Sequence, residues 1–231
     1  MFTLLSLQAD SLTAATSTAV IENVAPNTEI SVLEFILKGG VVLIPIAILL
    51  FYTFYVIAER YMYIDKASKI DDRLLRDVGE QLQSGNIELA RAIVERSTNA
   101  SSTIIKEGIL VIGRPIAEIE SNMDRAADIE IGQMEKHLGH LGLIAGIAPT
   151  LGFIGTISGV IKIFYSISVT ENISIGNISG GLYEKMISSG AGLIVGIIAY
   201  SAYHLLNGKI DNFALKVQKQ ILEFVNIIQR A

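Results

Sequence analysis

Four side chains in or beside the apolar stretches of this sequence are candidates for chemistry. They are the hydroxyls of Thr156, Ser188 and Ser189 and the carboxyl of Glu184. An ionisable side chain at the centre of a membrane span costs on the order of 3 kcal/mol on insertion scales, so one that occurs within a span is a functional candidate. Glu184 is the strongest candidate of the four, although it could instead be an interfacial residue that pairs with a neighbouring lysine.

The hydroxyls reach nearly one depth if the two stretches form antiparallel helices. With Leu141 and Leu206 level at the inner face, a rise of 1.5 Å per residue places Thr156 about 22 Å and Ser189 about 25 Å above that level. Glu184 then lies about 33 Å up, close to the outer boundary. Each hydroxyl could also bond back to its own helix and have no further role.

The elements that must position these residues are membrane helices. The 231 residues are 51% hydrophobic and only 18% charged, which is less charge than a soluble domain of this length carries. The mean hydropathy is +0.50. Three runs approach or exceed the roughly 20 apolar residues that span a bilayer: Val41–Ala58, Leu141–Ile161 and Met186–Leu206. The pattern predicts an all-α polytopic membrane protein with three spans.

The distribution of Lys and Arg predicts the orientation. Eleven of these residues lie in Glu59–His140 and four follow Asn207, whereas only Lys38 precedes the first span. The positive-inside rule therefore places the N-terminus outside and both large polar regions in the cytoplasm. The predicted segments are an outer arm (1–37), span one (38–60), a cytoplasmic helical region (61–138), span two (139–165), an outer loop (166–181), span three (182–207) and a C-terminal amphipathic cytoplasmic helix (208–231).

The cytoplasmic segments are predicted to be helical. Asp72–Leu82 and Ile87–Arg96 flank the turn signal Ser84-Gly85-Asn86 and indicate a helical hairpin, and Ser101–Ile112 is a third candidate helix. No strong break occurs between Pro115 and Pro149. We therefore expect one continuous helix over Ile116–Phe164, a rod of about 70 Å.

The tail carries one apolar stripe at helical spacing, which must be buried against something. Its members are Ile210, Phe213, Val217, Ile221, Phe224, Val225 and Ile228. Asn207-Gly208 is expected to bend the junction between this helix and span three.

Glycines distinguish the second and third spans from the first. In lipid, small residues hold helices together by letting their backbones approach closely. Span two contains Gly142, Gly146, Gly152, Gly155 and Gly159, and span three contains Gly190, Gly192 and Gly196. Span one has none between its ends. We expect spans two and three to face protein and span one to face lipid, with helix packing alone, without a pore, as the alternative.

Several function classes are excluded or unsupported. The chain has no cysteine, which excludes disulfides and thiolate metal sites, and no metal or cofactor is expected. The net charge of −5 is small and unclustered, so nucleic-acid binding has no support. Gly-x-Ser-x-Gly and His-Glu-x-x-His motifs are absent, and we expect that the protein is not an enzyme.

Two motifs resemble a known family. Pro149 with GFIGTISGV (Gly152–Val160) resembles the second-span signature of the MotA/TolQ/ExbB proton-channel family, and Glu184–Leu193 resembles its third-span Glu-x4-Thr-x2-Gly-Leu pattern. Three further features, and the three-span topology, are similar to the ExbB branch: Leu37-Lys38-Gly39-Gly40, Pro45 and Glu59-Arg60. The resemblance runs from about Leu33 to the end.

The resemblance implies a homopentamer in a bacterial inner membrane, with a periplasmic arm and outer loop. Spans two and three would line a channel that holds the single-span helices of an ExbD-type partner, whose aspartate titrates, and the work would pass to a TonB-type transducer. A TolQ-like or a gliding or secretion motor role, and a non-conducting scaffold, are the alternatives.

The resemblance also assigns roles to residues. The proton pathway would comprise Thr156, Glu184 and Ser189, with Ser188 on the same helix face as Glu184. Ser189 stands where the family has a threonine, so the hydroxyl remains and the methyl is lost. Close packing around the pore would rest on Gly152, Gly155, Gly159, Gly192 and Pro149.

Overall fold

A computed structural model describes residues 41–97, 99–170 and 175–230, without the side chains of Asp72, Thr170, Asn177 and Glu184. The predicted outer arm (1–37) and the side chain of Glu184 therefore lie outside the described residues. Within them the structure is helical and contains no strand. The helices are α1 (Leu43–Ala67), α2 (Asp72–Gln83), α3 (Ile87–Glu95), α4 (Ala100–Leu110), α5 (Ile116–Glu135), α6 (Leu138–Thr170) and α7 (Ile175–Arg230).

Three helical stretches in the described part of the chain are long and apolar enough to cross a membrane. They are Leu43–Ala67, Ile116–Val169 and Ile178–Arg230. The predicted all-α fold with three candidate spans is confirmed. The α6 and α7 helices pack against each other over the longest contact in the structure, and α1 lies against both.

The α1 helix has one packed face and one open face. Ile46, Thr53 and Val56 are buried, whereas Phe51 and Phe54 are exposed. Because the exposed face is as apolar as the buried one, α1 has the character expected of a helix that contacts lipid on one side.

A polar region, made of α2–α5 and the C-terminal half of α7, is helical and shares one hydrophobic core with Val56 and Ile64 of α1 and with Leu138 and Leu141 of α6. The predicted hairpin and third helix are confirmed by α2, α3 and α4. The turn between α2 and α3 contains Gly85 at a φ of 73°, and Asn86 caps α3 by accepting a hydrogen bond from the backbone N–H of Leu89.

The apolar stripe of the tail supplies much of this core. Six of its seven predicted members are buried: Ile210, Phe213, Val217, Ile221, Phe224 and Val225. They pack against α2, α4 and α5 of the same chain. The stripe is thus buried within one chain.

The predicted continuous rod over Ile116–Phe164 is wrong. Lys136 has a ψ of 134° and His137 a φ of 66°, so the helix is interrupted between α5 and α6. The interruption leaves the carbonyl of Gln133 without its intrahelical donor, and the Arg60 guanidinium donates to it at 3.2 Å. A partner from α1 thus stabilises the break.

The helix has no break at Asn207-Gly208, where the sequence predicted a bend. The α7 helix continues through it for 56 residues, about 84 Å in all. Leu206 and Ile210 are buried on either side, so burial continues in helical register across Gly208 and offsets its cost in helix propensity, about 1 kcal/mol. Helix also takes up most of the predicted loop, because α6 ends at Thr170 and α7 begins at Ile175.

Candidate functional site

A glycine seam joins α6 to α7 at mid-span, formed by Gly152, Gly192 and Gly196 with Ala148 and Pro149. A methyl group at Gly192 would lie 2.5 Å from the carbonyl oxygen of Ala148, and one at Gly196 would lie 2.5 Å from the Pro149 ring. The two backbones are therefore in contact along the seam, and a side chain at these positions would separate them.

Gly152 brings the seam to the predicted site residues. A methyl group there would lie 2.9 Å from the Cα of Ser189 and 3.1 Å from the carbonyl oxygen of Ser188. One turn further along α6, a methyl group at Gly155 would lie 2.9 Å from the Ser188 hydroxyl and 3.1 Å from Val42. The Ser188–Ser189 turn therefore lies directly on α6.

Other glycines of the same helices face away from this contact. Gly146 on α6 and Gly190 on α7 would each accept a methyl group with no atom within 4 Å. The sequence predicted that both sets face protein, but it could not separate glycines that join α6 to α7 from those on the outer surface of the pair.

Two hydroxyls converge on one backbone carbonyl. The Thr156 hydroxyl donates to the carbonyl of Gly152 at 3.2 Å and to that of Lys185, across the helix interface, at 3.4 Å. The Ser188 hydroxyl donates to the same Lys185 carbonyl at 3.0 Å. Ser188 is fully buried, whereas Thr156 is only half-buried.

The structure brings most of the predicted site residues to one level. Thr156 lies beside the turn of α7 that contains Lys185 and Ser189, in agreement with the depths calculated from the helical rise. Ser189 is half-buried next to Gly152. Glu184 immediately precedes Lys185 on α7, so its backbone lies nearer to Thr156 than the separation of about 11 Å that the helical rise predicted.

A second polar cluster, which the sequence did not predict, lies at the break between α5 and α6. The Tyr52 hydroxyl and His140 Nδ1 are 2.7 Å apart, and His137 Nδ1 lies 3.4 Å from the Glu59 carboxylate, which also pairs with Arg60. The cluster was not predicted because a continuous helix was expected at this point. The pair Glu59-Arg60 at the end of span one was the feature of the sequence that could have indicated it.

The described residues contain no evident metal site. No group of three or more His, Asp or Glu side chains comes together there in a way that could hold a metal ion. Where Thr156 meets α7, the hydroxyls of Thr156 and Ser188 offer hydrogen bonding in a largely apolar environment.

Comparisons with known proteins agree with the motifs. A family model described as the MotA/TolQ/ExbB proton channel family matches residues 87–219. A relative named as an ExbB homolog of biopolymer transport, from Methanothermobacter thermautotrophicus, is 31% identical over 189 residues, which cover 81% of this chain and 67% of the relative.

Two further relatives extend the comparison. An ExbB-like biopolymer transport protein from Synechocystis is 26% identical over 178 residues, 75% of this chain and 70% of the relative. The Tol-Pal system protein TolQ from Haemophilus influenzae is 27% identical over 108 residues, 47% of each chain.

Proposed function

Because the chain belongs to the MotA/TolQ/ExbB proton channel family, in its ExbB branch, we propose that it is the ExbB-type subunit of a proton-driven motor in a bacterial inner membrane. Five copies surround the single-span helices of an ExbD-type partner, and the complex couples the proton-motive force to a TonB-type transducer. The observation that carries this proposal is the contact between α6 and α7 at which Thr156 and Gly152 of α6 lie against the turn of α7 that contains Ser188 and Ser189. The chain acts as a channel wall, not as an enzyme.

The outer surface of the α6–α7 pair supports an assembly of several copies. Although the two helices are packed against each other, Phe153 and Ile157 of α6 and Leu193 and Ile197 of α7 remain exposed. Exposed apolar side chains suit either lipid or another protein surface. The outward-facing Gly146 favours protein, because a small residue contributes close helix contact and little lipid-facing surface.

The Thr156 hydroxyl is suited to hydrogen-bond the carboxyl group of a partner helix, because its present hydrogen bonds are long. O–H···O bonds are commonly about 2.7–2.8 Å, and those of Thr156 are 3.2 and 3.4 Å. The hydroxyl can therefore turn towards a partner's carboxyl at small cost, while the Ser188 hydroxyl keeps its bond to the Lys185 carbonyl. Moving one proton through 100 mV supplies about 2.3 kcal/mol, so a motor of this kind needs steps of small free-energy change.

Replacing the Thr156 hydroxyl tests this role. We expect Thr156→Val to abolish proton-driven work in cells that lack their own ExbB, with the oligomer still formed, because valine keeps the shape of threonine and loses the donor. Thr156→Ser should keep part of the activity.

Thr150→Val is the matched control on the same helix. The Thr150 hydroxyl is exposed and donates only to the carbonyls of Gly146 and Ile147 of its own helix, so this variant should behave like the wild type. Normal work by the Thr156→Val protein would remove Thr156 from the proton pathway.

Two alternative functions can be distinguished from this one by experiment. A TolQ-like or a gliding or secretion motor would use the same wall with a different transducer, and the similarity to TolQ favours the first of these. A non-conducting scaffold predicts that Glu184→Ala and Thr156→Val leave proton-dependent work intact. Native mass spectrometry after co-expression with candidate partners would give the copy number and the helix that occupies the channel.

A further inference from the structure

Lys185 is the charged residue whose placement on α7 the proposed proton pathway does not explain. It lies in a candidate membrane span and is half-buried against α6. A methyl group at Gly159 of α6 would lie 2.5 Å from the Cδ and 2.6 Å from the Cε of Lys185, and closer still to its Cγ. The apolar stem of Lys185 therefore occupies the space that a side chain at position 159 would need.

The backbone of Lys185 is attached to α6 as well. Its carbonyl accepts from the Thr156 hydroxyl, and Thr156 lies three residues before Gly159 on the same face of α6. Lys185 thus contacts α6 at two neighbouring points, by its stem at Gly159 and by its carbonyl at Thr156.

A complementary contact lies further along the two helices. There the side chain of Ile163 of α6 fills the space above Gly181 of α7, where a methyl group would lie 2.9 Å from its Cδ1. At the first contact the side chain belongs to α7 and the glycine to α6. At the second contact the side chain belongs to α6 and the glycine to α7. Such an arrangement defines how far α7 can slide or rotate relative to α6 beyond the glycine seam.

We propose that Lys185 is a positioning residue whose stem, seated over Gly159, holds the outer halves of α6 and α7 in register and thereby keeps the Thr156 hydroxyl level with Glu184. The consequence for proton-driven work rests on the proposed function, whereas the register itself does not. Long basic side chains commonly bury their methylene stems along apolar surface, so the stem can serve this purpose in an apolar environment.

The register can be measured without any proton-driven work. The chain has no cysteine, so a single introduced pair, Ile163→Cys with Gly181→Cys, gives an unambiguous cross-link between the outer halves. We expect the pair to cross-link readily in the otherwise unchanged chain. Adding Lys185→Ala should slow the cross-link about tenfold, and adding Lys185→Met, which keeps an unbranched stem, should slow it less.

Proton-driven work provides the second readout. Lys185→Ala is expected to lower it about tenfold with the oligomer intact, and Lys185→Met to retain more of it than Lys185→Ala does. Gly159→Ala should impair it too, and the double variant Gly159→Ala/Lys185→Ala should recover relative to Gly159→Ala, because the methyl group then meets no stem. Lys162→Ala, which removes an exposed lysine of α6, is the matched control.

The outcomes separate this inference from the proposed function. An unchanged cross-link in Lys185→Ala overturns the positioning role even if Thr156→Val abolishes work as expected. Equal losses in Lys185→Met and Lys185→Ala, with an unchanged cross-link, also overturn it, since the charge and not the stem would then matter. If Gly159→Ala does not assemble, the Lys185 variants, which add no volume, decide the question.

Discussion

At the scale of single residues, the glycines of α6 and α7 have different roles according to what faces them. Gly192 lies against the backbone of Ala148, whereas Gly190, two residues away on the same helix, faces open space. In a helix, positions two apart point in different directions, so a glycine-rich motif contains both seam residues and surface residues.

A methyl group at Gly192 is therefore expected to destabilise the helix pair. It would meet the Ala148 carbonyl at 2.5 Å and the Cα of Gly152 at 3.2 Å, and neither backbone atom can move independently. Overpacking of this kind costs about 1–3 kcal/mol, so Gly192→Ala should lower the thermal midpoint of the detergent-solubilised protein by several degrees.

Gly190→Ala is the control for that measurement, because the same change of residue type meets nothing within the chain. Equal midpoints for the two variants would show that α6 and α7 do not meet at Gly192 as described.

At the scale of elements, the break between α5 and α6 joins the polar region to the membrane helices. His137, at its centre, has a left-handed backbone, which costs a residue with a side chain about 1–2 kcal/mol. The break persists because α1 contacts it and both of its sides, through Arg60 to Gln133 of α5, through Glu59 to His137 and through Tyr52 to His140 of α6. Contacts between elements thus override a local sequence that favours a continuous helix.

The conformation of His137 gives a test of this break. We expect His137→Val to destabilise the protein more than His137→Gly, since both lose the contact with Glu59 and only valine, branched at Cβ, is strained at positive φ. The difference should be about 1–2 kcal/mol in denaturant unfolding. If valine proves the more stable of the two, position 137 is helical and the rod is continuous.

At the scale of the whole molecule, α7 belongs both to a candidate span and to the polar region. Its C-terminal half supplies the centre of the polar core, where Phe224 is 0% exposed and lies with Met123 against Gly108. A continuous helix of this kind makes the fold of the polar region depend on the tail.

Truncating Phe224 should therefore loosen the polar region. Phe224→Ala is expected to cost about 3–5 kcal/mol and to expose the α2–α3 hairpin to limited proteolysis, while the apolar helices stay protected in detergent or lipid. Leu222→Ala, at a position that is 62% exposed, is the control and should leave the digestion pattern unchanged. Identical digestion of the two variants would contradict the burial of the stripe within one chain.

The amino-acid sequence by itself determined the three apolar helices, the helical hairpin and the buried stripe of the tail. These follow from hydropathy, turn residues and helical spacing, which are properties of neighbouring residues. The motifs around Thr156 and Glu184 likewise identified the family. Where motif and spacing agree, as for the common depth of Thr156 and Ser189, the sequence also located the candidate site.

Only the tertiary structure decided which glycines join α6 to α7, where the rod breaks and what the stem of Lys185 contacts. Each of these depends on the rotation and register of helices relative to one another. Tyr52 and His140, for example, meet although 88 residues separate them. Such contacts arise because the packing of distant segments outweighs local preference, and no pattern among neighbouring residues encodes them.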